Sequence, residues 1–225
     1  MLIEYLKNIP VFKYLKDPQL KEIALRCKSA KFKKGDVVFH KTDLSTDLYI
    51  VNSGKLKAVL SDEEGDEILL AHFEKGAFFG ELSLLDGKGR SATIVAEKDS
   101  ELSVLKKDLF FELIYKDPRI AVELMATLVD RLRKADEMIE SLAFLEVGER
   151  LIKCLLEHAE PVINSGYLKA GKMTHKELAA RIGSSREAVS KCLKVLMSKA
   201  LVKEAEGNLL INRSALERFK EHERM

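Results

Sequence analysis

The segment GELSLLDGKGRSAT begins at Gly80 and places three polar side chains, Glu81, Arg90 and Ser91, among residues that otherwise look like core. Gly80 permits an unusual backbone angle and the close approach of a ligand. Residues 81–85 can form one helical turn, whose exposed N–H groups attract an anion. The planar guanidinium of Arg90 and the hydroxyl of Ser91 are groups that hold a phosphate.

A carboxylate is unexpected in an anion site, because it repels a phosphate. Glu81 fits such a site if it accepts a hydrogen bond from a sugar hydroxyl, so the segment predicts a phosphorylated sugar as its ligand. The alternative is that Glu81 and Arg90 form an ordinary salt bridge that fixes the loop. The residue types alone leave both interpretations open.

The surrounding sequence predicts the elements that must position these residues. From 29 to 106 apolar and polar residues alternate, and turns of the type KG, NSG and EEGDE separate the alternating runs. This pattern predicts about eight antiparallel strands rolled into a sandwich or barrel. Helical periodicity returns at residue 107, and Asp117-Pro118 opens a long helix.

The long helix carries an apolar stripe at alternating spacings of three and four residues, which is typical of a two-stranded coiled coil. It therefore predicts a homodimer that forms through residues 118–145. Val129, Leu132 and Ile139 lie beside the stripe and are predicted to pack on the same domain. The stripe itself consists of Ala121, Leu124, Leu128, Arg131, Ala135, Met138, Leu142 and Leu145.

The C-terminal part predicts a winged helix-turn-helix. Thr174 caps a helix and Glu177 completes its capping box. A second helix begins at Ser184 or Ser185, with Glu187 closing another box. The run LVKEAEGNLLIN predicts two short strands around a Gly207-Asn208 turn.

The charge of this part predicts a nucleic-acid partner. Residues 169–203 contain nine Lys and Arg against two Glu, a local excess of +7. The alternative is an ordinary solvated basic face. Apolar spacing along the two helices buries one side. Polar residues of the second helix point the other way, and their types read base edges and bind phosphates. The predicted buried side consists of Leu178, Ile182, Val189, Leu193 and Leu196, and the outward side of Arg186, Glu187, Ser190, Lys191 and Lys194.

Other classes of protein are disfavoured. Cys27, Cys154 and Cys192 form no C-x-x-C pair, and the histidines show no metal-ligand spacing, so no metal site is predicted. No nucleophile–base constellation is visible, so the chain is not expected to be an enzyme. No run approaches the roughly 18 apolar residues of a membrane span, and no signal peptide is visible. We therefore expect a cytoplasmic protein.

Three motifs in order resemble the CRP/FNR family of bacterial transcription regulators. FFGELSLL…GRSA resembles the phosphate-binding cassette of that family, LAFLEVGERL at 142–151 its hinge, and IGSSREAVSKCLK its recognition helix. The resemblance covers nearly the whole chain. It implies an effector-responsive regulator that binds pseudo-palindromic double-stranded DNA, with RNA polymerase as a further partner.

The resemblance also implies an α+β fold and its domain limits. Residues 1–116 would form a cyclic-nucleotide-binding β-barrel of the jelly-roll type, residues 117–145 the dimerisation helix, and residues 146–225 the winged helix-turn-helix. Two alternatives stay open. One is a regulator of the same fold with a different effector or none, and the other is a nucleotide-sensing scaffold that does not bind DNA.

Site residues follow from the same resemblance. Glu81 would hold a ribose hydroxyl, and Arg90 and Ser91 the cyclic phosphate of a cAMP-like or cGMP-like nucleotide. The family's base-reading Thr-Ser pair is replaced by Ala135-Asp136, so the base-reading half of the site differs. The full effector set is Gly80, Glu81, Leu82, Arg90, Ser91, Ala135 and Asp136. The DNA-binding set is Thr174, Ser185, Arg186, Glu187, Ser190, Lys191 and Lys194.

Overall fold

The computed structural model describes residues 6–7, 9–162 and 165–213. Eight strands occupy the region in which the alternating pattern predicts a barrel. The strands are β1 Lys28–Phe32, β2 Val37–Phe39, β3 Leu48–Ser53, β4 Lys55–Ser61, β5 Glu67–Glu74, β6 Phe78–Phe79, β7 Thr93–Ala96 and β8 Ser100–Leu105. After a 3₁₀ turn at Pro10–Phe12, the helices of this region are α1 Asp17–Arg26, α2 Glu81–Asp86 and α3 Lys107–Lys116.

The eight strands form two four-stranded sheets, with strand orders β1-β8-β3-β6 and β2-β7-β4-β5. Neighbours such as β3 and β8, or β4 and β7, pair antiparallel. Alternate residues of each strand point to one face, and this alternation fills a core that includes Phe39, Val51, Leu56, Phe79 and Leu102. The predicted antiparallel barrel class is confirmed.

The helix α4, Arg119–Phe144, begins just after Pro118 as predicted. The prediction that Val129, Leu132 and Ile139 pack on the same domain is wrong, because all three are exposed. Leu124 is buried, and Leu128 packs against the core to which α1, α2 and α3 contribute. The first part of the predicted dimer seam therefore holds the helix on its own domain. The neighbouring face is at least half exposed at Val122, Met125, Val129, Leu132 and Ile139. Both faces are apolar at helical spacing, so periodicity alone cannot decide which one packs inward.

The C-terminal part contains α5 Val147–Glu157, β9 Glu160–Pro161, β10 Tyr167–Gly171, α6 His175–Ile182, α7 Arg186–Ser198, β11 Val202–Ala205 and β12 Asn208–Asn212. Its strands form one sheet in the order β11-β12-β10-β9. The predicted two-stranded wing is therefore half of a larger sheet, because β10 pairs with the second wing strand. All five side chains predicted to be buried are buried, namely Leu178, Ile182, Val189, Leu193 and Leu196.

The wing turn lies one residue earlier than predicted. Ala205 pairs with Asn208, so the two turn residues are Glu206 and Gly207. Their φ angles are 53° and 74°, and a two-residue hairpin turn of type I′ requires positive φ at both positions. Asn208 is the first residue of β12 and not part of the turn.

Packing divides the chain into two compact units, residues 1–60 with 70–135 and residues 61–69 with 136–225. The domain limits expected from the sequence, after 116 and after 145, remain predictions. Within residues 9–162 and 165–213, no helix combines the length and the apolar character that crossing a membrane requires.

Candidate ligand site and nucleic-acid interface

Arg90 lies in the loop after α2, and only 2% of the residue is exposed. Its Nε donates to Oγ of Ser45 at 2.9 Å, and its terminal nitrogens donate to the carbonyl oxygens of Gly80 at 2.9 Å and Asp47 at 2.8 Å. Burial lowers the pKa of the Arg90 guanidinium, although an arginine keeps its charge in a protein. Each terminal nitrogen uses one of its two N–H groups in these bonds, and a guanidinium has five N–H groups in all.

Glu81 is the first residue of α2 and is also buried. Its Oε1 lies 2.6 Å from Nη1 of Arg131 on α4. Arg131 also donates from Nη2 to the carbonyl oxygen of Phe78 at 2.6 Å. The alternative interpretation of a Glu81–Arg90 salt bridge is therefore wrong, because the cation that pairs with Glu81 is Arg131.

The second carboxylate oxygen of Glu81 is buried and has no hydrogen-bond partner in the described part of the chain. Buried polar atoms almost always have a partner, so an exception calls for an explanation. An ionised carboxylate only accepts hydrogen bonds. A group that forms a hydrogen bond with this oxygen must therefore be a donor, and a sugar hydroxyl is a donor.

Gly80 is required by the position of Arg90. Its φ is 90°, in the left-handed region. A Cβ at this position would lie 2.6 Å from Nη1 of Arg90 and 2.8 Å from the carbonyl oxygen of Asp47. The unusual backbone angle agrees with the prediction, but the group that approaches the glycine is the guanidinium of the chain itself.

The remaining residues predicted for the ligand site lie at the surface. Leu82 is 44% exposed on α2, and Ser91 is exposed in the loop that follows Arg90. Ala135 and Asp136 are exposed neighbours on α4. The buried cluster thus brings together Gly80, Glu81 and Arg90 from the predicted set.

Arg131 is the residue of this cluster that the sequence analysis misses. It interrupts an apolar face of α4, and that interruption is the signal that could have revealed it. Its ζ carbon lies 5.4 Å from the ring centre of Phe73 and 5.1 Å from that of Phe78, while the ζ carbon of Arg90 lies 4.2 Å from that of Phe39. Aromatic faces attract guanidinium groups, so aromatic rings help to hold both cations in place.

The second candidate site rests on two capped helices. Oγ1 of Thr174 accepts from the N–H of Glu177 at 3.1 Å, and the carboxylate of Glu177 accepts from the N–H of Thr174 at 2.7 Å. This is the predicted capping box of α6. Gly183, at φ 60°, ends α6 in the left-handed conformation that favours glycine.

The predicted second capping box is wrong. Oγ of Ser185 caps α7 by accepting from the N–H of Ala188 at 3.2 Å. The third helical position, where a box needs its acid, is therefore Ala188. Glu187 stands one residue earlier and is exposed in the first turn.

The outward face of α7 is mostly basic. Arg186, Glu187, Lys191 and Lys194 are exposed, as predicted. Ser190 lies on the same face but is half-buried, and its Oγ is 2.7 Å from Nδ1 of His175. The hydroxyls of Thr174 and Ser185 serve as helix caps, so these two residues position the interface.

Comparison with known proteins gives matches in both parts of the chain. The family model of a cyclic nucleotide-binding domain matches residues 29–117, and that of a Crp-like helix-turn-helix domain matches residues 149–219. A cyclic AMP receptor protein of Thermus thermophilus is 35% identical over 212 residues, which are 94% of this chain and 96% of that protein. The chain belongs to the CRP/FNR family of transcription regulators.

Two further proteins are similar along most of the chain. The cAMP-activated global transcriptional regulator CRP of Escherichia coli is 30% identical over 87% of this chain and 94% of its own. A solved structure of a c-di-GMP responsive global regulator from Xanthomonas campestris has a TM-score of 0.76 at 21% identity, over 88% of this chain and 99% of that one. The latter similarity shows the fold alone.

Membership in the CRP/FNR family settles the broad function. The chain is a DNA-binding transcription regulator with a cyclic nucleotide-binding domain. The predicted α+β class, the helix-turn-helix and the assignment to a family of regulators that are not enzymes are confirmed.

Proposed function

We propose that this regulator binds a cyclic nucleotide at the buried cluster of Gly80, Glu81, Arg90 and Arg131, and that the nucleotide changes its affinity for DNA. The observation that carries the proposal is the buried Oε2 of Glu81, which has no partner among the described residues. A cyclic nucleotide supplies a ribose hydroxyl that donates to Glu81 and a phosphate that accepts from the remaining N–H groups of Arg90. The cyclic nucleotide-binding family match over residues 29–117 supports this assignment.

The identity of the nucleotide base is the more specific part of the proposal. The resemblance places Ala135 and Asp136 where relatives carry their base-reading pair. Ala135 offers no hydrogen bond, and the carboxylate of Asp136 can accept from an adenine amino group or from guanine N1 and N2. We therefore propose an AMP-type or GMP-type cyclic mononucleotide. A cyclic dinucleotide is the competing effector, because one protein of this fold is described as c-di-GMP responsive.

Calorimetric titration of the full chain with cyclic AMP, cyclic GMP and cyclic di-GMP tests this proposal. We expect saturable binding of one mononucleotide, and a loss of about 1.5–3 kcal/mol in Glu81→Gln, the range for hydrogen bonds to charged groups. Glu74→Gln is the matched control, because Glu74 is exposed on β5. Absence of binding by all three nucleotides, or equal affinity of Glu81→Gln and wild type, would contradict the proposal.

We also propose that two copies of the chain pair through the exposed stripe of α4. Val122, Met125, Val129 and Leu132 follow each other at spacings of three, four and three residues, and each is at least half exposed. These are the a and d positions of a two-stranded coiled coil. Ile139, which is 63% exposed, continues the stripe one heptad after Leu132.

Sedimentation equilibrium of Leu132→Asp tests the pairing surface. An unpaired charge in a buried seam costs several kcal/mol, so we expect the dimer to weaken at least about 100-fold. The unfolding of the N-terminal unit should be unaffected, because Leu132 is 62% exposed there. Lys134→Asp introduces the same side chain off the stripe and should leave the dimer intact. A wild-type dimer constant in Leu132→Asp would show that another surface pairs the chains.

Such a dimer would place its two recognition helices in successive major grooves about 34 Å apart, on a pseudo-palindromic site. Binding of a mixed-sequence duplex at low salt distinguishes this regulator from a scaffold that does not bind DNA. Contact with RNA polymerase and a cytoplasmic location stay predictions.

A further inference from the structure

The hydroxyl of Ser190 stands between two groups on different helices. Oγ donates to the carbonyl oxygen of Arg186 at 2.9 Å, and the same Oγ lies 2.7 Å from Nδ1 of His175. A serine hydroxyl carries one hydrogen, and the carbonyl oxygen of Arg186 can only accept it. The hydrogen-bond network therefore assigns a proton to Nδ1 of His175, which donates to Ser190.

This assignment leaves Nε2 as the variable nitrogen of His175. In the neutral ring with Nδ1–H, Nε2 only accepts a hydrogen bond. In the protonated ring Nε2 is a donor that carries positive charge. An acceptor cannot bind a phosphate oxygen, whereas a charged donor binds it well.

The position of His175 brings this nitrogen to the DNA-facing side. His175 is exposed and is the first residue of α6. Its partner Ser190 lies one turn from Arg186 and one turn from Lys194, so it shares their face of α7. The imidazole therefore stands beside the row of side chains that enters the groove in a helix-turn-helix complex, where the neighbouring helix crosses the DNA backbone.

We propose that His175 is a proton-dependent contact to the DNA backbone, and that Ser190 is its positioning residue and does not read bases. This inference rests on the DNA-binding function of the family. It changes the role predicted for Ser190, whose hydroxyl is already engaged on both sides.

The charges around His175 favour such a contact. Glu177 is held by the cap, since its carboxylate accepts from the N–H and the hydroxyl of Thr174. A phosphate favours the imidazolium over the imidazole, so the complex takes up a proton. DNA affinity should then be higher at acidic than at alkaline pH, because only the protonated ring donates from Nε2. The charged groups on or next to the elements that meet at His175 are Lys172, Lys176, Glu177, Arg181, Arg186, Glu187, Lys191 and Lys194.

The test is fluorescence anisotropy of the full chain with a mixed-sequence duplex of about 30 base pairs, long enough for two half-sites. Backbone contacts carry no sequence information, so a known operator is not required. Affinity is measured over a salt series at about pH 6 and about pH 8, on either side of the ordinary histidine range. For wild type we expect binding about 3–10-fold tighter at the lower pH, and a salt slope steeper by up to about 0.9 for each of the two copies of His175 in the dimer, the value for one added phosphate contact per copy.

Four variants identify the source of this pH dependence. His175→Gln should lose it, and His175→Lys should bind tightly at both pH values with the steeper slope. Ser190→Ala should reduce the pH dependence, because the imidazole loses the hydrogen bond that positions it. His158→Gln is the control, since His158 is in the same unit but bonds to the carbonyl of Cys154 and to Arg181.

Two outcomes would overturn the inference. If His175→Gln keeps the pH dependence and the change in salt slope of wild type, His175 makes no such contact. If wild type shows no duplex binding at low salt at either pH, with or without cyclic AMP, cyclic GMP or cyclic di-GMP, DNA binding by this chain fails as a whole, and the inference fails with it.

Discussion

Arg90 and Arg186 carry the same guanidinium group in opposite surroundings. Arg90 is 2% exposed and donates three hydrogen bonds to its own chain, whereas Arg186 is exposed in the first turn of α7. A buried charge acts strongly over a short distance, because the surrounding dielectric constant is low. An exposed charge is screened by salt, and it contributes to the binding free energy as one of several similar charges.

The comparison separates two kinds of anion recognition. The N-terminal unit fixes Glu81, Arg90 and Arg131 by hydrogen bonds, which suits a small ligand recognised by geometry. The helix-turn-helix presents exposed cations on rigid helices. This arrangement suits binding of a polyanion through the sum of many charge interactions. Substitutions at the first site should change affinity and stability together, and substitutions of the exposed cations at the second should change affinity alone.

The largest effect is expected from Arg90→Lys. Lysine cannot reproduce the three bonds to Ser45, Gly80 and Asp47, and its ammonium is more strongly hydrated than a guanidinium. We expect cyclic nucleotide affinity to fall by about 1.5–3 kcal/mol, roughly 10–150-fold, together with a lower unfolding temperature. Calorimetric titration and thermal unfolding measure the two quantities.

The reverse exchange at the exposed site is the control for Arg90→Lys. Lys191→Arg should leave the unfolding temperature unchanged, because Lys191 is exposed on α7. If Arg90→Lys and Lys191→Arg both left the unfolding temperature unchanged, the proposed difference between the buried and the exposed site would be wrong.

Gly80→Ala should be next in size. The left-handed backbone costs alanine about 1–3 kcal/mol, and the new methyl group would displace the guanidinium of Arg90. Gly76→Ala is matched to it, since Gly76 has φ 89° but open space around the added carbon. Chemical denaturation should show strain in both variants, and calorimetry should show weaker nucleotide binding only in Gly80→Ala. Unchanged nucleotide binding in Gly80→Ala would mean that Arg90 does not need its present position.

Lys191→Ala should have a smaller effect, confined to DNA binding. Loss of one phosphate contact per copy reduces the slope of log affinity against log salt by up to about 0.9 for each of the two copies in the dimer, and an exposed substitution usually changes stability by less than about 0.5 kcal/mol. Lys199→Ala, at the other end of α7, is the control. Anisotropy titrations at several salt concentrations compare the two. Identical slopes in the two variants would place Lys191 outside the interface.

Thr174→Ala should have the smallest effect and tests whether the helices at the exposed site are rigid supports. Loss of the N-cap of α6 costs about 1 kcal/mol, measured as the free energy of unfolding of the C-terminal unit. Ser198→Ala removes a hydroxyl at the end of α7 that donates to the carbonyl oxygen of Val195, and should cost less. A stability equal to wild type in Thr174→Ala would show that the capping box contributes little.

The elements of both sites are predictable from the sequence because their signals are local. The Thr174 box depends on residues three apart, and the strands depend on alternation over a few positions. Errors of one residue, at the Ser185 cap and at the Glu206-Gly207 turn, arise where two neighbouring residues suit the same role. These errors leave the order of elements unchanged.

The sequence by itself determined the barrel strands, the long helix, the winged helix-turn-helix and the segment that carries Glu81 and Arg90. Only the tertiary structure decided that Arg131 pairs with Glu81, that Ser45 and Asp47 hold Arg90, and which apolar face of α4 packs inward. The physical reason is that these contacts join residues distant in the chain. Such contacts depend on which surfaces pack together. The residue spacing within a single segment carries no information about that packing.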